Sequence, residues 1–314
     1  MTNILITGGA GFIGSALAAK LASNQENQVV VVDNLLTGQR DNLLPSLHDN
    51  IIFIREDVNN IKEMSDIFGR YSFDYVFHYA ALVGVQRTLA NPIMVLDDIK
   101  GLRNIMSLSK NTGVKQVYYS SSSEVYGEPV EFPQNEHTTP LNSRLPYAIV
   151  KNVGEAFLKS YNKEYDIPYT IFRFFNTYGP AQSREFVISK FISKALRNED
   201  ITIYGDGTQT RTFCYIEDNI DATVNAFYKN MFVNDVVNIG SDVEISILEL
   251  AKLVISLTGS KSEIIFLPPL AEGDMSRRHP DSVKMKKLLA REMVSLEEGI
   301  KKVLSQNFYL IGDE

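Results

Sequence analysis

Short apolar runs rich in β-branched residues alternate with amphipathic stretches over the first half of the chain. The runs that this pattern predicts to be strands are Asn3–Thr7, Gln28–Asp33, Ile51–Arg55, Tyr75–Tyr79, Gln116–Ser121 and Tyr169–Phe174. Helical patterns lie between several of them, at Ser15–Ser23, Ile61–Phe68, Pro92–Asn111 and Tyr147–Tyr165. Strands that are apolar on both faces and separated by helices indicate a parallel sheet covered on both sides. We therefore expect an α/β fold built on a doubly wound parallel sheet.

The pattern changes after Asn176, where turn signals become denser. Turn-forming residues cluster at Tyr178–Pro180, Tyr204–Gly207, Asn238–Gly240 and Pro268–Pro269. Helical patterns remain at Val187–Arg197, Asn219–Lys229 and Ser246–Leu257. We expect a smaller mixed α/β part here that shares a cleft with the first part. The predicted division is 1–176 and 177–314, with an interleaved boundary.

Composition narrows the classes of partner. The 314 residues are 44% hydrophobic and 22% charged, with a formal net charge of -7 and a pI of about 5.3. A mildly acidic chain without a block of Lys or Arg is a poor match for nucleic acid or an anionic membrane, so neither is expected as a partner. Cys214 is the only cysteine, which excludes an intrachain disulfide and fits a reducing cytoplasm. This cysteine and the four histidines show no metal-ligand spacing, so no metal is expected.

A glycine-rich segment follows the first predicted strand and opens the first helix. Thr7–Gly14 contains Gly8, Gly11 and Gly14 in this strand–turn–helix context. Glycine permits the tight turn and lets the backbone approach a pyrophosphate, whose charge the helix amides favour. The second strand ends at Asp33, where a carboxylate can accept from a ribose 2′-hydroxyl and would repel a 2′-phosphate. The pattern predicts a Rossmann-like site for NAD rather than NADP; the alternative is glycines that only allow close packing.

Two further motifs carry candidate chemistry. Tyr147 and Lys151 lie one helical turn apart and share one helix face. The ammonium group and a cationic nicotinamide ring would favour the Tyr147 phenolate, which could take a proton from a substrate hydroxyl. The run Ser120–Ser123 and then Glu124 follow an apolar strand, at the end where parallel sheets bind ligands. The alternatives are an exposed helix face for the pair and a turn or N-cap cluster for the serines.

Taken together, these motifs resemble those of the extended short-chain dehydrogenases/reductases, in the group of nucleotide-sugar epimerases, dehydratases and decarboxylases. The matching segments are Thr7–Gly14, Asp33–Leu35, His78–Ala81, Ser120–Gly127, Tyr147–Lys151, Arg173–Pro180 and Gly207–Phe213. Weaker similarity continues through Gly273–Asp281, so the resemblance covers nearly the whole chain. It implies an enzyme that binds NAD with residues 1–176 and a nucleotide-diphosphate sugar with residues 177–314.

The resemblance also assigns roles to single residues. Tyr147 would be the acid/base, Lys151 would promote its phenolate and hold the nicotinamide ribose, and Ser122 would complete the triad. The cofactor-binding residues that it implies, besides Tyr147 and Lys151, are Gly8, Gly11, Phe12, Ile13, Gly14, Asp33, Asn34, Asp57, Val58 and Ala80. The substrate-binding residues are Val85, Arg87, Asn176, Val187, Tyr204, Arg211 and Arg277. Related proteins pair the helices near Pro92 and Tyr147 between two subunits, so a homodimer is expected.

Several of these assignments have structural alternatives. Asp57 fits a helix N-cap equally well. Arg211 and Arg277 would neutralise the diphosphate or form surface salt bridges. Arg87 would touch substrate or pair with an acid, and Tyr204 would stack on the base or pack in the ordinary way. His78 is more typical of a hydrogen-bonded structural histidine than of a proton relay.

The reaction depends on Ser123 and Glu124. Members of the group can oxidise C4 of the sugar to a ketone, and common 4-epimerases lack a carboxylate at the position of Glu124. In dehydratases a Glu there removes the C5 proton, usually after an Asp where this chain has Ser123. The sequence Ser122–Glu124 is similar to the Thr-Ser-Glu of GDP-mannose dehydratases and of UDP-glucuronate decarboxylases. We expect a 4,6-dehydratase first and a decarboxylase or 4-epimerase as alternatives; a non-catalytic NAD-binding regulator is a remote one.

Overall fold

The structure is a computed structural model. It describes residues 1–46, 48–269 and 277–306, without the side chains of residues 44–46, Val85 and Gln86. The strands are β1 (Thr2–Thr7), β2 (Asn27–Val32), β3 (Ile51–Ile54), β4 (Tyr75–His78), β5 (Gln116–Ser122), β6 (Tyr169–Phe174), β7 (Thr177–Tyr178), β8 (Ile201–Tyr204), β9 (Thr210–Thr212), β10 (Cys214–Tyr215), β11 (Asp235–Ile239), β12 (Glu244–Ser246) and β13 (Ile264–Leu267).

Seven of the described helices fall where the sequence pattern predicts them, with ends that differ by a few residues, whereas Val85–Ala90, Val283–Leu289 and Leu296–Ser305 are helices that the pattern did not predict. The helices are α1 (Phe12–Ala22), α2 (Ile61–Tyr71), α3 (Val85–Ala90), α4 (Pro92–Thr112), α5 (Pro146–Tyr165), α6 (Val187–Leu196), α7 (Ile216–Tyr228), α8 (Ile247–Thr258), α9 (Val283–Leu289) and α10 (Leu296–Ser305). The 3-10 helices are η1 (Arg40–Ser46) and η2 (Ser123–Tyr126). Proline at the first position of α4 and α5 fits the helix start, since its missing N–H would have no intrahelical partner there.

A seven-stranded sheet has the order β11-β6-β5-β4-β1-β2-β3. The neighbouring pairs from β6 to β3 are parallel. Strand order reverses at β1 and β4, and this switch point is where such sheets bind ligands. The register sets Thr7 beside both Val32 and His78, so three strands end together there. The predicted doubly wound, Rossmann-like fold is confirmed.

Both faces of this sheet are apolar, as the continuous hydrophobic runs predict. On one face the strands contribute Leu5, Val76, Val117 and Ile171, which cluster with Phe68 of α2, Ile105 of α4 and Leu158 of α5. Successive side chains point to opposite faces, so Phe77 and Tyr118 lie on the other side. Their rings stack with centroids 4.4 Å apart, and Phe227 of α7 meets both edge-on.

The described chain divides into two compact units that interleave in sequence. The first is Met1–Gly127, Leu141–Phe174 and Ile220–Val237, and the second is Glu128–Pro140, Phe175–Asn219 and Asn238–Glu314. The second unit contains short strand pairs, with β7 parallel to β10, β8 parallel to β13 and β9 antiparallel to β12. The assignment of NAD to residues 1–176 and of substrate to 177–314 stays a prediction. Among the described residues, no helix has both the length and the apolar character needed to cross a membrane.

Candidate active site

The glycine loop between β1 and α1 has the geometry of a phosphate cradle. Gly8 has a φ of +70°, and a Cβ there would lie 2.6 Å from the Ala80 amide nitrogen. A Cβ on Gly14 would collide with the Gly8 carbonyl oxygen. Gly11 differs, because its Cβ would meet only that oxygen, at 3.2 Å, and the space beyond is open. Two glycines thus permit close packing, while the third leaves room for a ligand.

Helix α1 begins beside this open space without a side-chain cap. Gly11 is the N-cap residue, and the first turn contains no acidic residue. The first amides of a helix have no intrahelical acceptor and carry partial positive charge. The amides at Phe12, Ile13 and Gly14 lie in this turn, so the segment fits the pyrophosphate of a dinucleotide.

Asp33 follows β2 and is bound to the same loop. Its Oδ2 accepts from the Ala10 amide at 3.0 Å, and its Oδ1 accepts from the Leu35 amide at 2.8 Å. A Cβ on Gly38 would lie 2.9 Å from Oδ2 and 3.0 Å from Oδ1. A larger residue at position 38 would therefore press on the carboxylate. Sequence analysis missed Gly38, although its position shortly after the second strand was a usable signal.

The residues after β3 are arranged differently from one alternative prediction. Asn60, not Asp57, is the N-cap residue of α2, so the N-cap interpretation of Asp57 is wrong. Asp57 instead accepts from the Asn59 amide at 2.8 Å and from the Asn34 side chain at 3.1 Å. The intervening turn places the helix start three residues later than Asp57. Val58 is buried in the hydrophobic cluster beneath α2 and α4, so its side chain serves the core.

A buried hydrogen-bond network supports the loop after β4. The Thr7 hydroxyl accepts from the Ala80 amide at 3.3 Å and lies 2.7 Å from His78 Nδ1. Burial, with a smaller effect from the Lys151 charge, lowers the pKa of His78 to about 3. A histidine that is neutral at physiological pH and hydrogen-bonded inside the fold matches the structural interpretation. Thr7 itself was not identified as a functional residue from the sequence.

Helix α5 brings Lys151 to the carboxyl end of β5. Lys151 is 3% exposed, and its Nζ donates to the Ser120 carbonyl at 2.7 Å and approaches Ser120 Oγ at 3.3 Å. The same nitrogen lies 5.8 Å from the centroid of the Tyr147 ring. Burial lowers the pKa of Lys151 to about 8, and the charge of Asp98 acts in the opposite direction. The predicted Tyr–Lys pair therefore lies at the strand end, rather than on an exposed helix face.

Asp98 is an acidic neighbour of Lys151 that the sequence did not indicate. It lies on α4 and accepts from the Leu82 amide at 2.8 Å. Burial raises the pKa of Asp98, while this hydrogen bond and the Lys151 charge oppose the rise. Leu82 belongs to a small apolar cluster with Val95 and Val150, against which Tyr147 packs. Asp98 thus anchors the loop that borders the tyrosine.

The serine run continues from β5 into η2. Ser122 is 8% exposed and its Oγ accepts from the Glu124 amide at 3.2 Å, so it caps η2. The N-cap alternative is therefore correct locally, and it leaves the hydroxyl proton able to donate to a ligand. Ser123 is buried and Glu124 is half-buried. Helix α5 packs on both β5 and η2, which brings Tyr147, Lys151 and Ser122–Glu124 into one region of the first unit.

In the second unit, Asn176 is hydrogen-bonded to strand β9, which carries Arg211. Asn176 has a φ of +28°, its side chain donates to the Thr212 carbonyl at 3.0 Å and its carbonyl accepts from the Cys214 amide at 3.2 Å. Arg211 lies opposite Ile245 in the β9–β12 pair and is 9% exposed. Its Nη1 donates to the Thr210 carbonyl at 2.8 Å.

Arg277 forms the salt bridge that was its structural alternative. Its Nε and Nη2 donate to the two carboxylate oxygens of Glu244 at 2.6 and 2.8 Å. Its side chain is 42% exposed and stacks over the Phe132 ring at 4.3 Å. A bridge between Arg277 and Thr210 brings it beside the strand of Arg211. The hydrogen bonds to Glu244 raise the pKa of Arg277 above its usual value.

The remaining predicted substrate-binding residues are Val187, Tyr204, Arg87 and Val85. Val187 is the first residue of α6 and is half-buried. Tyr204 ends β8, with Lys190 Nζ 5.6 Å from its ring centroid. Arg87 donates to the Val83 carbonyl at 3.0 Å. The side chain of Val85 lies outside the described part of the structure, as do residues 273–276 of the weaker match. No metal-binding group of three or more His, Cys, Asp or Glu is present among the residues that the structure describes.

Comparison with known proteins agrees with this geometry. The family described as NAD dependent epimerase/dehydratase matches residues 4–240. UDP-glucuronic acid decarboxylase 1 of Danio rerio is 38% identical over 310 residues, which cover 96% of this chain and 71% of that protein. UDP-N-acetyl-alpha-D-glucosaminuronate decarboxylase of Bacillus cytotoxicus is 36% identical over 315 residues, covering 96% of each chain.

Solved structures give the same result. The crystal structure of UDP-glucose 4-epimerase with UDP-glucose from Thermotoga maritima has a TM-score of 0.91 and 34% identity, covering 99% of this chain and 100% of that one. Both the sequence resemblance and the prediction of NAD as cofactor are confirmed by the family match. The chain belongs to the NAD dependent epimerase/dehydratase family.

Proposed function

We propose that this protein oxidises C4 of a sugar carried on a nucleotide diphosphate, with Tyr147 as the group that takes and returns the hydroxyl proton. The placement of Lys151 carries the proposal. A buried ammonium group that is bonded to Ser120 and close to a tyrosine ring stabilises a phenolate there. Burial makes this charge effective, because little water screens it.

Two side chains act on the C4 oxygen. The chemistry that bound NAD supplies is removal of hydride from C4 and its later return. The Tyr147 phenolate accepts the proton of the C4 hydroxyl, and the resulting phenol can return it. Ser122 donates a hydrogen bond to the same oxygen. Its own oxygen accepts from the Glu124 amide, which leaves the hydroxyl proton available for this bond. The open space at Gly11 and the carboxylate of Asp33 would hold the pyrophosphate and the adenine ribose.

The step that follows oxidation is proposed to be loss of the C6 carboxylate of a nucleotide-linked hexuronate. A C4 ketone makes that carboxylate a β-keto acid: the C5–C6 bond breaks, its electrons pass to the C4 oxygen, and carbon dioxide leaves. A proton then returns to C5, and Glu124 is the half-buried acid beside the serine run that could deliver it. The two decarboxylase relatives, at 36% and 38% identity over nearly the whole chain, support decarboxylation over dehydration, and the UDP-glucose 4-epimerase structure at 34% identity keeps 4-epimerisation as a candidate.

Dehydration across C5 and C6, the first expectation from sequence, becomes the second candidate. Glu124 could remove the C5 proton, which favours it over simple 4-epimerisation. Departure of the C6 hydroxyl also needs an acid, and Ser123 stands where most dehydratases have Asp. Ser123 is 2% exposed, and a serine hydroxyl is a weak proton donor. The same relatives give dehydration less support than decarboxylation.

The second unit is proposed to bind the nucleotide diphosphate. Arg211 and Arg277 are donors suited to phosphate oxygens, and the Asn176 amide lies in the same unit. Tyr204 and Val187 would border the base, and Arg87 the sugar. The partial burial of Arg211 strengthens its interaction with a phosphate, since less water competes for the guanidinium.

A panel of substrates tests the proposal. Purified protein would be incubated with UDP-glucuronate, UDP-N-acetylglucosaminuronate, UDP-glucose and GDP-mannose, and the products analysed by mass spectrometry and NMR. Decarboxylation removes the mass of one carbon dioxide from the uronates. Loss of one water from a hexose would support dehydration instead, and an unchanged mass with inverted C4 would support epimerisation. Stoichiometric release of NADH would indicate an ordinary dehydrogenase, and absence of any reaction would contradict the enzyme proposal.

A homodimer is part of the proposal. Apolar side chains on α3, α4 and α5 are exposed, namely Leu89, Ile93, Met94, Leu96 and Ile149. Ile93 is 72% exposed, and because α4 and α5 pack against each other, a group of exposed apolar side chains on them is a candidate interface. Light scattering should give the mass of a dimer, and Ile93→Asp should shift it toward the monomer. A monomeric wild-type protein would contradict this part of the proposal.

A further inference from the structure

A completely buried ion pair lies next to the proposed catalytic residues and has no role in the chemistry described so far. Glu155 and Arg173 are each 1% exposed. Arg173 Nε donates to Glu155 Oε1 at 2.8 Å, and its Nη2 donates to Oε2 at 2.7 Å. Burial opposes ionisation of Glu155, but the hydrogen bonds and charge of Arg173 outweigh it and hold its pKa below the usual value. The pair is therefore charged inside the first unit.

The pair connects the separate elements that carry the proposed catalytic groups. Glu155 lies on α5 one turn beyond Lys151, on the helix face that also carries Tyr147. Its Oε1 accepts from the Ser121 hydroxyl at 2.7 Å, between Ser120 and Ser122 on β5. Lys151 and Glu155 thus attach one helix face to two consecutive serines of the strand.

Arg173 extends the connection to η2. It lies opposite Ser121 in the β5–β6 register. Its Nη1 donates to the Tyr126 hydroxyl at 2.8 Å, and its guanidinium lies 4.8 Å from the Tyr126 ring centroid. Tyr126 is fully buried and is the last residue of η2, the turn that begins with Ser123 and Glu124. One guanidinium fork therefore touches both the helix of Tyr147 and the turn of Glu124.

We propose that Glu155, Arg173 and Tyr126 are positioning residues that hold the Ser122–Glu124 turn in register with the Tyr147–Lys151 face of α5. Tyr147 and Ser122 act at C4, and Ser122 is held in place as the last residue of β5, whereas Glu124 of η2 acts at C5. Loosening the Tyr126 end should therefore leave oxidation at C4 largely intact and slow the step at C5. The division into two steps rests on the proposed function. The connection between Glu155, Arg173 and Tyr126 does not, because it consists of hydrogen bonds within the first unit.

Close approach of the helix to the strand is built into the same region. A Cβ on Gly154, the residue before Glu155, would collide with the Tyr119 hydroxyl. Glycine there lets α5 lie near β5, so that Glu155 reaches Ser121. Packing thus limits the distance between α5 and β5, while the hydrogen bond from Ser121 to Glu155 and the ion pair with Arg173 of β6 hold the helix in register with the strands.

Tyr126→Phe is the primary test, because it removes one hydroxyl and keeps the buried ring. Hydrogen exchange of the Ser122–Gly127 amides, measured by mass spectrometry, should rise about tenfold, while exchange in the first turns of α5 stays unchanged. This measurement needs no substrate, so it tests the connection even if the proposed reaction is wrong. Unchanged exchange in Ser122–Gly127 would overturn the inference.

The kinetic test separates the two steps. In Tyr126→Phe, kcat should fall about tenfold with KM little changed, and enzyme-bound NADH should accumulate during turnover because the later step is slowed. Tyr228→Phe is the matched control: its hydroxyl accepts from the buried Asn27 amide at 2.8 Å, at the opposite end of β2 from Asp33. Equal slowing of oxidation and of the later step in Tyr126→Phe would contradict the inference.

Arg173→Lys gives an independent check on the fork. A lysine keeps the positive charge, but its single nitrogen cannot reproduce the bidentate geometry to Glu155 and the bond to Tyr126 together. Among soluble protein with a native circular dichroism spectrum, we expect the same accumulation of bound NADH as in Tyr126→Phe. Normal partition between the steps in this variant would show that charge alone suffices and would overturn the positioning role. If Arg173→Lys does not fold, Tyr126→Phe still decides the question.

Discussion

The buried cations beside Tyr147 in the first unit and the exposed Arg277 of the second unit are held in opposite ways. In the first unit Lys151 and Arg173 are buried, and each is bonded to groups of the same unit. In the second unit Arg277 is 42% exposed and paired with Glu244. Little water screens a buried cation, so its charge acts strongly on a group that it touches. An exposed ion pair is screened by solvent and can exchange partners. The first arrangement suits chemistry at a fixed atom, and the second suits a ligand that must enter and leave.

The energetic consequences differ accordingly. Removing one member of a buried ion pair leaves an uncompensated charge and costs about 3–5 kcal/mol, whereas exposed pairs contribute about 0–1 kcal/mol. Preorganised groups also need no rearrangement when charge develops in a transition state. The contrast therefore predicts which substitutions should harm stability and which should harm only binding or turnover.

The largest effect is expected from Tyr147→Phe. Loss of the phenolate removes the proton acceptor at C4, so kcat should fall about 10³-fold or more. Bound NAD, measured after denaturation of the purified protein, should be unchanged. Tyr165→Phe at the end of the same helix, where the side chain is 39% exposed, is the control and should keep normal turnover. Near-normal activity in Tyr147→Phe would refute the assigned role.

Arg173→Met and Arg277→Met compare the two units directly. The first should lower the free energy of unfolding by about 3–5 kcal/mol, because the buried Glu155 loses both guanidinium hydrogen bonds and retains the Ser121 hydroxyl and a contact of 3.6 Å with Lys159 Nζ. The second should change it by about 1 kcal/mol or less. Chemical denaturation monitored by circular dichroism measures both. Similar losses in the two variants would remove the distinction between a fixed and an exchangeable cation.

We expect Arg277 to affect the binding of the nucleotide sugar, although it contributes little to the free energy of unfolding. If this guanidinium turns from Glu244 to the diphosphate, Arg277→Met should weaken nucleotide-sugar binding about tenfold. Glu244→Gln should tighten it a few-fold, because the competing carboxylate charge is gone. Isothermal titration with UDP and a UDP-sugar tests both signs. Weaker binding in Glu244→Gln would mean that Glu244 orients Arg277 and does not compete with the ligand.

The smallest expected effect is a pH dependence set by Lys151. Burial lowers the pKa of Lys151 to about 8, so the amine becomes neutral and kcat should decline as the pH rises through that value. Stability should change in the opposite sense: between pH 8 and 10.5 the unfolded chain binds the proton more readily, so the free energy of unfolding rises with pH.

Two neighbouring acids provide the matched variants for this test. Asp98 raises the pKa of Lys151, so Asp98→Asn should move the decline in kcat to lower pH by about one unit or less. Asp97→Asn removes an exposed carboxylate that pairs with Lys100 at 2.7 Å and should leave the profile unchanged. Equal shifts in both variants would point to overall charge rather than to the buried site.

The sequence predicted features that are encoded within one short segment and missed contacts between residues that are distant along the chain. The fold followed from apolar runs whose two faces are both buried, and the prediction of NAD as cofactor followed from Gly8–Gly14 and Asp33, which lie within one strand–helix–strand segment. The Asp57 alternative failed because Asn60 begins α2 after an intervening turn. No pattern indicated that Glu155 meets Arg173, 18 residues away, or that Glu244 meets Arg277, 33 residues away. Such pairs depend on how strands and helices align in space, which residue type alone does not encode.

The double attachment of Asp33 has a consequence for attempts to redesign coenzyme preference. Its carboxylate is joined to the Ala10 amide of the glycine loop, and Gly38 closes over it from the other side. Exchanging this acid for a residue without a side-chain acceptor, as a move toward a 2′-phosphate, would also remove the acceptor of the Ala10 amide in the loop proposed to receive the pyrophosphate. A change of coenzyme preference at this position would therefore also need a new acceptor for the Ala10 amide.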